Sequence, residues 1–407
     1  MPEDAIYHVF QEEFMKNGSM NHQWIKPAGL LSLLLVPALL LSACGNTGTE
    51  AAANGQAAQT ITTNETADQL YAQAKQEGKV VVYSTSGRAN DAAETFMKKY
   101  PGVKVEVSKV KSDEMMDKVT NEQDAGQFNP DVIITKEVSG AVGKEMVEQG
   151  RYLKYLPDDI APKVDEPYRT KAPGYANYAE FRTIFYNTDY YKKTPVTNWW
   201  DLTTPEFKNK IYVADPLSSP AFMDLFTTMV IHSDDMAAAY KQKFGKDIQL
   251  SGTENAGYEF IRQLFANGLT VLKGSDDVLD AIGKTPSGAV GIAVSGDVSK
   301  VEENGWDVKP IYDIQPKTSV ADSGYLYIAN KAPHQAAGKL FIRWMMGEQD
   351  GKGEGLAAFN EVGSWVPRSD VKTKNPIGFE ELNLWDYDAD TLYMTSPKVR
   401  DFWIQQK

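Results

Sequence analysis

The chain predicts an α/β fold in which helices cover both faces of a mostly parallel sheet. Short, wholly apolar runs such as "KVVVYS" (79–84) and "DVIIT" (131–135) alternate with stretches of helical spacing, the pattern of strands buried on both faces. The folded body, from about Thr66 to Lys407, is also long enough for two domains.

Taken in order, "ADQLYAQAKQEG" (67–78) places Leu70, Tyr71 and Ala74 at helical spacing and stops at Gly78, a suitable residue just past a helix end. A strand at 79–84 follows, then a helix over about Asn90–Tyr100, a turn at Pro101-Gly102 and a strand at "VKVEV" (103–107). A helix around Ser112–Ala125 leads to the strand "DVIIT". "FRTIFYN" (181–187) reads as a strand leaving this first unit. The strand "KIYVAD" (210–215) then precedes a helix that starts at Ser218-Ser219-Pro220, where proline follows a serine cap. This second unit ends in the strand "AVGIAVSGD" (289–297). "SGYLYIANKAPH" (323–334) is the return strand, and "QAAGKLFIRWMM" (335–346) is a helix with Leu340, Phe341, Trp344 and Met345 on its apolar face. The C-terminal segment 379–407 is expected to pack as helices against one lobe.

Upstream, Lys26 precedes an apolar run from Ala28 to Leu41 and then Ser42-Ala43-Cys44. A charged start, an apolar middle and a small-residue cleavage site make a secretory signal peptide. The run is shorter than the roughly 20 residues that span a bilayer. Leu41-Ser42-Ala43-Cys44 resembles the bacterial lipobox, whose cysteine becomes N-terminal and diacylglyceryl-modified, and Cys44 is the only cysteine in the chain. One cysteine makes no internal disulfide and offers no second thiol to a metal. Met1–Phe14 carries four acidic residues and no Lys or Arg, wrong for a signal start, so Met15 or Met20 is the better initiator. Residues 1–43 are accordingly assigned to the signal with a doubtful extension. Residues 44–65, small and polar, form a lipid anchor and a disordered tether.

A formal charge of −13 argues against nucleic acid as a partner. Hydrophobic residues at 42% of the chain exclude a disordered body. No G-x-S-x-G elbow, H-E-x-x-H or P-loop is present. Only His232 and His334 survive signal removal, and neither lies near a nucleophile motif. "GKGEG" (351–355) follows a helix instead of a strand and reads as a helix-to-helix turn, not a nucleotide loop. An extracytoplasmic enzyme is therefore the weaker class, and no cofactor or metal site is implied.

Together "VVVYSTSG…AAETFMKKYPGVKVEV", "DVIIT", "YNTDYY", "WWDLTTPEFKNKIYVADPLSS", "GAVGIAVSGD", "YIANKAPHQAAGKLFIRWM" and "VGSWVPRSDV" resemble, in order and spacing, the type II solute-binding lipoproteins of bacterial ABC importers. The subgroup is that of ferric-iron, hexose-phosphate and phosphonate binders. The resemblance implies a two-lobed periplasmic-binding-protein type II fold, each lobe a mixed, mostly parallel sheet flanked by helices, with a ligand cleft between. Lobe 1 is expected over 66–180, lobe 2 over 181–320, and a return to lobe 1 with C-terminal helices over 321–407. It further implies a monomer, lipid-anchored on the extracytoplasmic face of the cell membrane, that hands a small solute to ABC permease subunits.

Iron binders of this group place a His after the first strand, an acid after the strand matching "DVIIT", and a Tyr pair in the second lobe. Here those positions hold Gly87, Lys136 and Ser295-Gly296-Asp297. Fe(III) requires anionic oxygen ligands, which Lys136 is not. Tyr190-Tyr191 lies just past the crossing strand and reads as packing. A ferric-iron binder thus remains the alternative to an anion binder.

What stands at the strand ends suits an anion. Ser84, Thr85 and Ser86 bring hydroxyls to a helix start, Gly87 allows close backbone approach, and Arg88 adds a charged fork. Thr135 and Lys136 occupy the neighbouring strand end, and Ser218 and Ser219 the matching helix start in lobe 2. Asp297 and Asp322 are expected to accept from ligand hydroxyls or an amine. The plainer reading of these Ser and Thr residues is as helix caps.

Overall fold

The computed structural model describes residues 61–166 and 168–407. The signal peptide, Cys44 and most of the tether lie outside the described residues. Among those described, no helix is long and apolar enough to cross a membrane.

Helix α1 (Ala67–Glu77) opens on a reciprocal cap, in which Thr66 accepts from the Gln69 amide while the Gln69 side chain returns to Thr66. It closes on Gly78, whose φ of +75° is the left-handed conformation that glycine tolerates best. Strands β1 (Lys79–Ser84), β2 (Lys104–Lys109) and β3 (Val132–Lys136) then pair in parallel in the order β2-β1-β3. The crossovers are α2 (Arg88–Lys99) and α3 (Ser112–Asp124). A short strand, β4 (Tyr152–Lys154), follows.

The chain next enters β5 (Tyr175–Asn187), buried along its whole length and begun six residues before the expected start at Phe181. The second lobe holds α4 (Pro220–Ile231), α5 (Ser233–Phe244), α6 (Ala256–Ala266), α7 (Ser275–Gly283) and α8 (Val298–Glu303). They surround β6 (Ile211–Ala214), β7 (Leu269–Leu272), β8 (Val290–Val294) and β9 (Val308–Pro310). β8 is shorter than expected, because Ser295–Asp297 turn into a 3-10 helix. The return strand β10 (Ser319–Ala329) lies antiparallel to β5. One sheet therefore runs β2-β1-β3-β10-β5-β8-β6-β7 through both lobes, with β10 and β5 at its centre.

The buried apolar residues gather in two separate large cores. The first gathers Leu70, Phe96, Val119, Ile133 and Phe341. The second gathers Trp199, Trp200, Phe226, Phe260 and Ile292. After α9 (Gln335–Met345) and the short α10 (Glu354–Ala357), on the first core, the chain crosses a third time. Trp365 bridges to Ala179, and β11 (Leu384–Trp385) pairs with the start of β10. Helix α11 (Ala389–Gln406) then buries Val399 and Trp403 in the second core. Between α10 and α11, most of 358–388 is irregular or turn.

Candidate functional site

β1 and β3 are neighbours, so their C-terminal ends, Ser84 and Lys136, emerge side by side. The loop after β1 is largely self-satisfied. Ser84 donates its hydroxyl to the Ser86 carbonyl at 2.9 Å and accepts from the Ser86 amide at 3.1 Å. Ser86 Oγ in turn accepts from the Arg88 amide at 3.3 Å, and the Thr85 amide donates to the Ile134 carbonyl at 2.9 Å. Gly87 is exposed in ordinary helical backbone, with open space where a Cβ would stand. These hydroxyls are spent within the turn itself, and Ser84 is fully buried.

The cations lead elsewhere. Arg88 reaches from the start of α2 to Glu180 Oε1 at 3.0 Å and to Ser364 Oγ at 3.2 Å, with its guanidinium 5.0 Å from the Tyr178 ring centre. Lys136 Nζ donates to Glu180 Oε2 at 3.0 Å and to Asp322 Oδ2 at 2.7 Å. Arg182 donates to the same Asp322 oxygen at 2.6 Å. Strand alternation explains the meeting: Glu180 is paired with Asp322 in register, Gly324 with both Lys136 and Tyr178, and Arg182 lies two residues beyond Glu180. All these side chains share one face of the crossing strands. Among the directly ion-paired groups three cations meet two carboxylates, while Glu361 and Asp297 act on Arg88 and Arg182 from further off.

The electrostatics are those of a buried, mutually neutralising network. Burial pulls the Lys136 ammonium down, but Asp322 and Glu180 outweigh it and hold its pKa above the ordinary value. Burial pushes Glu180 and Asp322 up, yet Lys136 with Arg88, and Lys136 with Arg182, keep them below the usual carboxylate range. Arg88 and Lys136 nevertheless keep about a quarter of their side chains exposed, at 26% and 24%.

The second lobe closes against this floor. Gly296, in the turn just past β8, approaches so closely that a Cβ there would clash with the Glu180 carboxylate and force it to shift. Phe222, on the first turn of α4, packs over Arg182 with 5.0 Å between guanidinium and ring centre. Ser219 precedes that turn and makes no side-chain cap, whereas Ser218 turns its hydroxyl back to the Asp215 carbonyl at 3.0 Å. Asp297 accepts from Ser275 and from the Val294 amide, and joins no ion pair among the described residues. Burial raises its pKa. Alternation turns Thr135 away from Lys136, and its buried hydroxyl lies 3.1 Å from both Ser112 Oγ and the Lys136 carbonyl. A further cross-lobe contact runs from Ser139 to Asp224 of α4 at 2.6 Å.

Glu180, Arg182, Ser364 and Asp224 were missed from sequence. A signal existed for the first two, which are charges two residues apart in the otherwise uncharged run "YANYAEFRTIFYN". Tyr190 is 53% exposed, and Tyr191 donates to the Gly288 carbonyl. Among the described residues no cluster of three or more His, Cys, Asp or Glu is arranged to hold a metal.

A family model described as "Bacterial extracellular solute-binding protein" matches residues 91–353. No curated protein matches the chain. Among solved structures, apo ferric ion-binding protein A of Pasteurella haemolytica is similar at 16% identity and a TM-score of 0.62, over 81% of this chain and 98% of that one. The periplasmic binding protein AfuA of Actinobacillus pleuropneumoniae, with fructose-6-phosphate bound, is similar at 19% identity and 0.59, over 81% and 98%. Iron-bound HitA of Pseudomonas aeruginosa gives 16% and 0.61, over 81% and 99%. At these identities the likeness establishes the fold, that of the two-lobed periplasmic binding proteins.

Proposed function

We propose that this chain, a member of the bacterial extracellular solute-binding protein family, captures a small anionic solute of the phosphorylated-sugar or phosphonate type and delivers it to the permease of an ABC importer. The observation that carries the reading is the excess of cations among the ion-paired groups of the cleft floor, where Arg88, Lys136 and Arg182 pair with Glu180 and Asp322 and, among the described residues, with no other carboxylate. The two partly exposed cations are held in place by carboxylates, so an entering phosphate finds preorganised donors. Fe(III) would meet the same excess as repulsion and would have to strip carboxylates from their cations. AfuA, of the same fold, is described with a sugar phosphate, and other neighbours with iron. That contrast makes charge the decisive question.

Calorimetric titration with glucose 6-phosphate, a phosphonate, glucose and ferric citrate tests it. Lys136→Ala leaves two cations against two carboxylates and removes a charge-assisted bond worth roughly 1.5–3 kcal/mol. Affinity for the phosphorylated ligand should fall about tenfold to hundredfold, with neutral sugar unaffected. Tight Fe(III) binding that ignores Lys136→Ala, with no binding of any phosphorylated ligand, sinks the reading.

We further propose that the lobes divide near 180/181 and 320/321, inside the two crossing strands, and that Cys44 carries the lipid that holds the protein at the membrane. Cys44→Ser should shift the protein from the membrane fraction to the soluble one, or leave it unprocessed. Equal incorporation of labelled palmitate into both forms would refute the anchor.

A further inference from the structure

The opposite face of β10 carries something different. Asp322 and Gly324 face the ion network, while Ala321, Ser323 and Tyr325 line a cavity of about 670 Å³ on the other side. The small side chains at 321 and 323 leave the room. That volume lies within the roughly 300–1,000 Å³ of small-molecule sites.

Its walls are aromatic: Tyr168, Tyr325, Trp365, Phe379, Trp385 and Tyr387. The polar atoms of most of these rings are already engaged. Trp365 Nε1 donates to the Ile377 carbonyl at 3.0 Å and Trp385 Nε1 to Asp235 at 2.8 Å. Tyr387 donates to Asp224, and Tyr168 accepts from Ser323. These rings therefore offer π faces and edges to an occupant, with few free donors for an anion.

The charged lining is acidic. Asp165, Glu166, Glu380 and Asp386 stand against Lys171 and Arg368. Arg368 is consumed by the Met346, Glu348 and Gln349 carbonyls and by Asp370. Glu166 is paired with Arg169. Asp165, Glu380 and Asp386 have no ion-pair or side-chain hydrogen-bond partner among the described residues. Asp165 is held above the usual carboxylate range by burial and by the charges of Glu380 and Asp370, a strain that a bound cation would relieve.

Aromatic faces with uncompensated carboxylates recognise one chemistry, a positive charge on an apolar body. We propose that this cavity is a second binding site, on the back of the crossing strands, for a small quaternary-ammonium-type organic cation. It is independent of the cleft and of the solute bound there.

Choline and its uncharged isostere 3,3-dimethylbutan-1-ol are the probes, titrated calorimetrically and by tryptophan fluorescence. Choline should bind at least about tenfold more tightly than the alcohol. The isosteric double variant Asp165→Asn/Glu380→Gln should weaken choline about tenfold while leaving glucose 6-phosphate titration unchanged. Phe379→Leu, which keeps an apolar side chain and removes a ring, should weaken choline severalfold. Equal binding of the two probes, no choline binding at millimolar concentration, or choline binding indifferent to the double variant and to Phe379→Leu overturns the proposal. A failed phosphate titration with intact choline binding would instead count only against the anionic cleft.

Discussion

Replacing Asp322 with alanine is expected to destabilise the folded protein by about 3–5 kcal/mol, the range for breaking a buried ion pair by removing one partner. Among the described residues, Asp322 is the only carboxylate that Arg182 pairs with. Arg182 is buried, its Nε already lacks a partner, and Phe222 covers the guanidinium. Without Asp322 a full charge is left dry and unpaired. Lys136 would keep Glu180, so the loss concentrates on Arg182. This gives the test its second arm: adding Arg182→Leu removes the stranded charge and should recover much of the stability, because replacing a whole buried pair by apolar groups is often neutral. Lys136→Ala, by contrast, leaves each carboxylate with one arginine and should cost less than Asp322→Ala. Urea denaturation of the four proteins reads the order directly. A loss below about 1 kcal/mol for Asp322→Ala, the scale of an exposed pair, would mean that water reaches the network freely.

The same network shows how far the sequence could be read. Alternation of apolar runs with helices gave the class because β3 and β8 are buried on both faces and β1 and β6 nearly so, so composition alone marks them. Ser84 and Lys136 could be matched as strand ends because β1 lies beside β3. What the loop's hydroxyls do was less legible, since a cap and a ligand cradle use the same residues, and Ser84 and Ser86 proved to serve the turn itself. Thr135 stands on the opposite face of β3 from Lys136, as the period of a strand dictates. Glu180 escaped because β5 was started one residue too late to include it, and its partners Arg88, Lys136 and Ser364 are distant in sequence. Such pairing across a crossing strand leaves no local pattern. The third crossing was hidden for a related reason: Trp365 and β11 attach to the sheet through a bridge and a two-residue strand, too short for a periodicity.

Acidification from pH 7.5 to about 5.5 is expected to stabilise the protein, against the usual trend of acid weakening. Two buried carboxyls cause this. Burial pushes Glu137 to about 7 although it accepts from the Val138, Val142 and Gly143 amides. Burial, with the charges of Asp322 and Glu137, pushes Asp224 to about 7 against its bonds from Ser139 and Tyr387. In the unfolded chain both groups titrate near 4. Between about pH 4 and 7 the native state thus holds protons that the unfolded state has released, and stability falls as pH rises, by up to about 1.4 kcal/mol per unit for each group. Because the two carboxyls influence each other, a combined gain of about 2–3 kcal/mol at pH 5.5 is the expectation. Glu180 and Asp322 act in the opposite sense: their folded-state pKa values are depressed, so their contribution is present above about pH 4 and is lost below it. The optimum should therefore lie near pH 5, bounded by Glu137 and Asp224 on the alkaline side and by the ion network on the acid side. Urea midpoints at constant ionic strength check the curve, and Asp224→Asn, which cannot ionise, should remove part of the slope between pH 5.5 and 7.5. Asp224 meets Ser139 across the lobes, so its ionisation bears on the contact between them. Equal stability at the two pH values, or an undiminished slope in Asp224→Asn, would show that these carboxyls ionise normally in the folded protein.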